Sequence, residues 1–448
     1  MFKQLFLFTA LLHCALVLAT AAESWPEFRG PTGQGHATAT KLPTEWSETK
    51  NVQWKTPLPG KGWSSPVAAD GVIWLTAAID MPLSEEQKKD KLKTNTGDQP
   101  LNAAGHIDLY VLGVDQQTGK LLHEIKVLGV DDPQAIHTLN SYASPTPVIA
   151  DGKLYCHFGA YGNVCFDTKS LQVVWTNNEL MIAHENGPGS TPVLWGGLMI
   201  FHCDGSDVQY IAALDKQTGK VAWKTPRTGA MHNNPQLKKA YGTPLIVRQT
   251  EGTNSREILL SPAANWLYAY DPATGRELWK LNYGVLGFSI VPRPVMGNGL
   301  LYMCTTFMKS ELLAIKLPAI NDPASEPSIV WRHKRSVPNM PSPLLVGEEI
   351  YIVHDNGVAT CLDAATGKEL WTERLGGKYC SSPLYADGKI YLSSREGNTL
   401  ILKPGKKYEK LANNQLEGEI MASTMALDNS LFVRTNKALY RIGEKPKE

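Results

Sequence analysis

The sequence has no excess of charge of either sign: 44 Lys and Arg stand against 43 Asp and Glu in 448 residues, a formal net charge of +1. A nucleic-acid-binding surface calls for a clustered basic stripe, and this balance supplies none. Runs of like charge are missing too; "EEQKKDKLK" (Glu85 to Lys93) mixes signs and reads as a solvated loop. Cysteine is scarce, seven in the whole chain, which excludes a disulfide framework as the main source of stability. Beyond residue 24 no apolar run approaches the length of a membrane span. Helical periodicity is absent as well. What remains is 43% hydrophobic residues, ample for a large buried core.

The opening "MFKQLFLFTALLHCALVLATAAES" has one Lys, an apolar stretch from Leu5 to Leu18, and small residues at Ala19 and Ala21. This predicts a secretory signal peptide over residues 1–22, leaving one periplasmic or secreted domain over residues 23–448, expected to be a monomer. Cys14 follows Leu-Leu-His, which rules against a lipidation cysteine. Six cysteines then face an oxidising compartment. In "LYCHFGAYGNVCF", Cys156 and Cys165 lie symmetrically about Ala160 and Tyr161. A regular hairpin there puts them opposite each other, close enough to bond. Two unpaired cysteines filling a core is the equal alternative.

The chain repeats itself. A small residue, Pro and an aliphatic recur as "SPV" at Ser65, "TPV" at Thr146 and Thr191, "TPL" at Thr243, "RPV" at Arg293, and "SPL" at Ser342 and Ser382. An eroded "STM" at Ser423 ends the series. The first interval is longer because a polar insertion, about residues 80–105, interrupts it; a surface loop is the expectation there, with a lid or docking arm as the alternative. Eight units of roughly forty to fifty residues indicate an array of small sheets. Each unit reads as four short strands bounded by Gly and Asp turns, so the fold class is all-β, an eight-bladed propeller of four-stranded antiparallel blades. The last unit, ending "ALYRIGEKPKE", lacks a fourth strand. "NVQWKTPL" near the start supplies one, closing the ring.

A second element is "ALDKQTGKVAW", "AYDPATGRELW" and "CLDAATGKELW". Asp215, Asp271 and Asp363 are expected to hydrogen-bond the turn backbone, and Gly219, Gly275 and Gly367 to supply its positive φ. Trp223, Trp279 and Trp371 are expected to wedge between neighbouring blades. The motif is a structural fastener.

On these residues the chain resembles the pyrroloquinoline-quinone-like repeat propellers, over essentially the whole predicted domain. That family includes quinoprotein alcohol dehydrogenases, an outer-membrane assembly lipoprotein and exported proteins without assigned activity; the opening "SWPEFRGPTGQG" is similar to the last group. The resemblance implies the eight-bladed fold and leaves function open. Departures are plain: no adjacent cysteine pair, no "CxxCH" for a haem, and no secure match to a calcium-binding Glu and Asn or a catalytic Asp.

Four-stranded blades put the loops leading into each first strand on the same face as the turns between second and third strands. The axial candidates there are Lys61, Trp63, Asn140, Tyr142, His184, Glu185, Asn186, His232, Asn233, Arg293, Asn339, Lys378, Tyr379 and Glu419. Histidines gather on this face, and His137, His184 and His232 are the candidates for a metal, with Glu185 nearby, although no local spacing is ligand-like. Alternatively Lys61, Arg293 and Lys378 hold a carboxylated ligand, with Trp63 or Tyr142 as a stacking plate. The expectation is an exported scaffold binding an unidentified small molecule or protein, without catalysis. The alternative is a dehydrogenase of alcohols or sugars carrying pyrroloquinoline quinone and Ca2+.

Overall fold

Each Pro-aliphatic run forms the innermost of four antiparallel strands in a computed structural model that describes residues 24–94, 99–322 and 324–444. The expected signal peptide lies outside the described residues. Blade 2 shows the pattern: Val148–Ala150, Lys153–His157, Asn163–Asp167 and Gln172–Asn177 pair in order. Eight such sheets form the ring. Val52–Pro57 pairs with Ala438–Ile442, so the N-terminal strand is the outermost strand of blade 8 and closes the circle as expected.

The core lies between the sheets. Seven hydrophobic clusters fill the spaces between neighbouring blades, and the largest joins blades 7, 8 and 1 with Trp25, Leu42 and Trp46 of the N-terminal arm. Alternating residues of each strand therefore enter two different clusters. This corrects the disulfide expectation. Cys165 pairs with Tyr155, and Cys156 with Val164, one residue out of register. The two thiols thus point to opposite faces of blade 2. Cys156 packs with blade 1 and Cys165 with blade 3, and both are free.

The fastener works across blades. Asp215 Oδ1 accepts from Gln217 N, Thr218 N and Thr218 Oγ1 at 2.8–3.1 Å, holding the turn. The indole of the preceding blade covers it: Trp175 Nε1 donates to Lys216 O at 2.9 Å. Trp223 does the same to Pro272 O, Trp331 to Ala364 O, Trp371 to Gly405 O, and Trp54 to Gln116 O across the closure. Trp279 faces blade 5, whose corresponding loop has no Thr-Gly turn, and its buried Nε1 finds no partner among the described residues.

A second ring was not foreseen. In six blades the residue at the head of the inner strand donates its backbone N–H to a hydroxyl of the next blade. Ser65 donates to Thr146, Thr146 to Thr191, Arg293 to Ser342, Ser342 to Ser382, Ser382 to Ser423, and Ser423 back to Ser65, all at 2.9–3.0 Å. These residues are buried, and an unpaired N–H there would carry its full desolvation cost. Ser and Thr are small enough for the crowded axis and supply the acceptor.

The N-terminal arm occupies the axis beyond this hydroxyl ring. Trp25 pairs with Ala68 in both directions, and Ile149 N donates to Pro26 O. Met296 N donates to Gln34 Oε1, and Ala37 N to Tyr385 O. "FRGPTGQG" therefore forms a plug touching the inner strands of several blades. Its glycines are needed for space: a Cβ on Gly33 would lie 2.3 Å from Arg293 Nη1, and one on Gly35 2.7 Å from Arg29 Nη2.

The described part of the insertion in blade 1 is regular structure where a surface loop was expected. The second and third strands extend as Val72–Pro82 and Ala104–Asp115, and between them stands helix α1 (Glu85–Lys91), with a Ser84–Gln87 capping box. Leu101 and Asn102 pair with His137 and Ile136, tying the insertion to the loop that leads into blade 2.

Candidate functional site

With the plug on one side, the open end of the axis is the face of the lead-in loops. A cavity of about 370 Å³ there is lined by Lys61, Trp63, Thr138, Leu139, Arg395, Glu419, Met421 and Asn436, from blades 7, 8, 1 and 2. Three of the expected residues, Lys61, Trp63 and Glu419, thus meet. Lys61 is held by reciprocal backbone bonds with Ala78, both 2.8 Å. Its ammonium lies 5.3 Å from the Trp63 ring centroid, and Trp63 Nε1 donates to Leu139 O. Burial lowers the Lys61 pKa, while Asp80 and Glu419 act in the opposite sense. Glu419 pairs with Arg395 at 3.0 Å. Asn436 Oδ1 receives Glu419 N, which fixes the loop. Lys61 and Arg395 with Asp80 and Glu419 near them, beside Trp63, Leu139 and Met421, suit a partner that offers both polar and apolar groups.

The other expected residues do not join this cavity. Tyr142 is buried against Tyr161, ring centroids 5.6 Å apart, and burial raises its hydroxyl pKa. His184 is 1% exposed, with its ring edge-on to Tyr161 at 5.2 Å. Glu185 pairs with the buried Lys239 at 3.0 Å. Asn140 donates to Asn186 O and Pro188 O, so Asn140 and Asn186 staple two lead-in loops together. His232 Nδ1 accepts from Asn234 N, and Asn233 is exposed. Asn339 Oδ1 receives Phe307 N and Ser310 Oγ. Lys378 is exposed and donates to Asn356 Oδ1; Tyr379 is buried and lines a second cavity of about 230 Å³ beside blade 7.

Two of the candidate arrangements are not formed. Among the described residues no group of three or more His, Cys, Asp and Glu side chains can hold a metal ion, so His137, His184 and His232 do not form a metal centre. His184 is packed in the interior, while His137 Nδ1 accepts from Leu139 N. Arg293 does not face a ligand on the open face either. It is 2% exposed and donates to Phe28 O at 2.8 Å and Pro244 O at 3.2 Å, with Glu27 at 3.4 Å. Pyrroloquinoline quinone, a planar tricarboxylate, would need axial cations and an open axial chamber. The plug engages Arg293, which therefore does not join Lys61 and Lys378 around one carboxylated ligand.

Residues that sequence reasoning missed include Thr138, Leu139, Arg395, Met421 and Asn436. Leu139 and Met421 lie in lead-in loops already singled out; Arg395 and Asn436 come from second-to-third turns, where only the face was foreseen. A family model described as outer membrane protein assembly factor BamB matches residues 36–225 and 263–404. The chain belongs to this family. A BamB from Burkholderia pseudomallei (strain K96243) is 28% identical over 95 residues, 21% of this chain and 24% of that protein. The match thus spans about a quarter of the length of that curated relative. The crystal structure of BamB from Moraxella catarrhalis aligns over 84% of this chain and 98% of its own, at 14% identity and a TM-score of 0.50. The computationally designed Ika8 protein aligns over 87% of this chain and all of its own, at 11% identity and a TM-score of 0.52. These two likenesses bear on the fold alone. BamB-family membership agrees with the periplasmic or secreted location expected from the sequence.

Proposed function

We propose that this protein is a binding scaffold, without catalysis, that receives an extended segment of another polypeptide on its lead-in face. The observation that carries this is the apolar surface of that face. Val285 and Met181 are 56% exposed, Met308 46% and Phe307 45%, all in lead-in loops or second-to-third turns. Single exposed apolar residues occur on strands as well, Val330 at 51% among them, but Val285, Phe307 and Met308 stand on adjoining segments of blade 5, and a grouped apolar surface serves contact with partners. The turn bearing Phe307 and Met308 is built to hold its shape, with Phe288 N donating to Thr306 O and Lys309 N to Leu286 O. A rigid apolar ledge on blade 5 and a polar cavity lined from blades 7, 8, 1 and 2 stand apart on one face, which favours a long extended chain that crosses it. The family name, outer membrane protein assembly factor, supports outer-membrane polypeptides as the partner class.

The test is fluorescence anisotropy with a labelled ten-residue peptide of alternating apolar and polar residues, patterned on a membrane β-strand. Saturable binding in the micromolar range is expected, weakened about tenfold by Phe307→Ser with Met308→Ser. No saturable change defeats the proposal. Calorimetric titration with pyrroloquinoline quinone and Ca2+ runs beside it, and micromolar uptake there would replace the scaffold by an oxidoreductase.

A further inference from the structure

The plug brings two guanidiniums into the axis. Arg293 has Glu27 as counter-charge, at 3.4 Å. Arg29 is 2% exposed, and its Nη2 donates to Pro343 O at 2.7 Å. Its Nε and Nη1 meet no protein acceptor among the described residues, and no carboxylate pairs with it there. The groups around it are Arg293, His36 and the buried thiol Cys304, none of which is an anion at neutral pH. His36 Nε2 is taken up by Leu345 O at 2.7 Å. Burial, and then repulsion from Arg293, lower the Arg29 pKa to about 9, which leaves the group charged at neutral pH.

A buried guanidinium without a counter-charge is strongly disfavoured, as is the charge left behind when one partner of a buried pair is removed. Simple packing does not call for an Arg at this place. The residue sits at φ 68°, a backbone region unfavourable for a long side chain, yet the chain holds it there with its charged end inward. Two cations and one carboxylate leave a single positive charge in the axis. The plug presses on both guanidiniums so closely that Gly33 and Gly35 have no room for a Cβ, so whatever balances that charge is small.

We propose that the axial plug holds one small monovalent inorganic anion, of the size of chloride, on the free edges of Arg29 beside Arg293. The anion joins the arm to the ring: Arg29 belongs to the plug and Arg293 to blade 5. Loss of the anion loosens the plug and reopens the axis from the side of the Asp-Gly turns.

The purified protein is dialysed into sodium gluconate, an anion too large for the site, and chloride or bromide is added at constant ionic strength while thermal unfolding is followed. A saturable rise in Tm of about 2–4 °C is expected with either halide, and none with sulfate. Arg29→Met, which keeps the bulk and removes the charge, abolishes the halide response. Should that variant fail to fold, bromide-soaked crystals give an independent reading: an anomalous peak within hydrogen-bond distance of Arg29 Nε or Nη1. The same Tm in gluconate and chloride, a halide response retained by Arg29→Met, or the absence of that peak overturns the proposal.

Discussion

The indole of Trp175, on the outermost strand of blade 2, covers Gly219 of blade 3 so closely that a Cβ there would lie 2.5 Å from its ring. Gly219 also has φ +70°. The glycine thus answers two demands at once, a left-handed turn and the space for a neighbour's ring.

Gly219→Ala should therefore cost more than the turn penalty alone, about 2–4 kcal/mol, since it adds overpacking to backbone strain. Trp175→Ala should cost a similar amount through lost burial and the bond to Lys216 O. Because each change removes the same contact, the double variant should lose less than the sum. Urea denaturation of the three proteins checks this, and strict additivity would show that the ring and the glycine act independently.

Acid should weaken the fold through its interior histidines. Burial lowers the pKa of His184 to about 3 and of His157 to about 4, and holds His202 well below its ordinary value. His157 bonds Asn163 Oδ1, and His202 bonds Ser261 Oγ. Neutral imidazoles are thus preferred in the folded state, while the unfolded chain takes up protons near pH 6.5. The unfolded state binds more protons between these values, so the contribution is complete above about pH 6.5 and is lost as pH falls toward 4. Each histidine adds roughly 1.4 kcal/mol per pH unit to the slope in that window. His184→Leu should flatten the slope between pH 6 and 5 by about one proton, measured by denaturant unfolding at several pH values. An unchanged slope would contradict the burial assigned to His184.

The six cysteines of the described residues are all free, and five of them are buried. Burial raises the pKa of Cys165 to about 11 and of Cys203, Cys361 and Cys380 to about 12. Thiolate is therefore scarce at neutral pH. Mass spectrometry after alkylation without reductant should show six labelled cysteines in denaturant, and slow labelling in the native protein. A Cys156–Cys165 crosslink in unreduced digests would refute the register described for blade 2.

How much was legible is clearest at Asp215, Gly219 and Trp223. Turn chemistry and strand length act over ten residues or so, and they repeat, so blade number, strand count and closure by "NVQWKTPL" follow from the sequence by itself. The same local pattern indicated which face carries the lead-in loops, and so Lys61, Trp63 and Glu419. It placed the fastener tryptophans between neighbouring blades but did not say that such an indole, as at Trp175, seals the next blade's turn, because that contact crosses a sheet boundary. Nor did the sequence separate Arg293 from Lys61: both read as loop cations near the axis. Only the tertiary structure decided that Arg293 meets Glu27, far away in the chain, while Lys61 stays beside an open cavity. The same holds for His184, whose loop position suggested a ligand and whose burial against Tyr161 makes it part of the interior. Secondary structure depends on neighbours in sequence. The burial and charge balance of an axial residue depend on eight blades and an arm arriving together, and no local pattern records that.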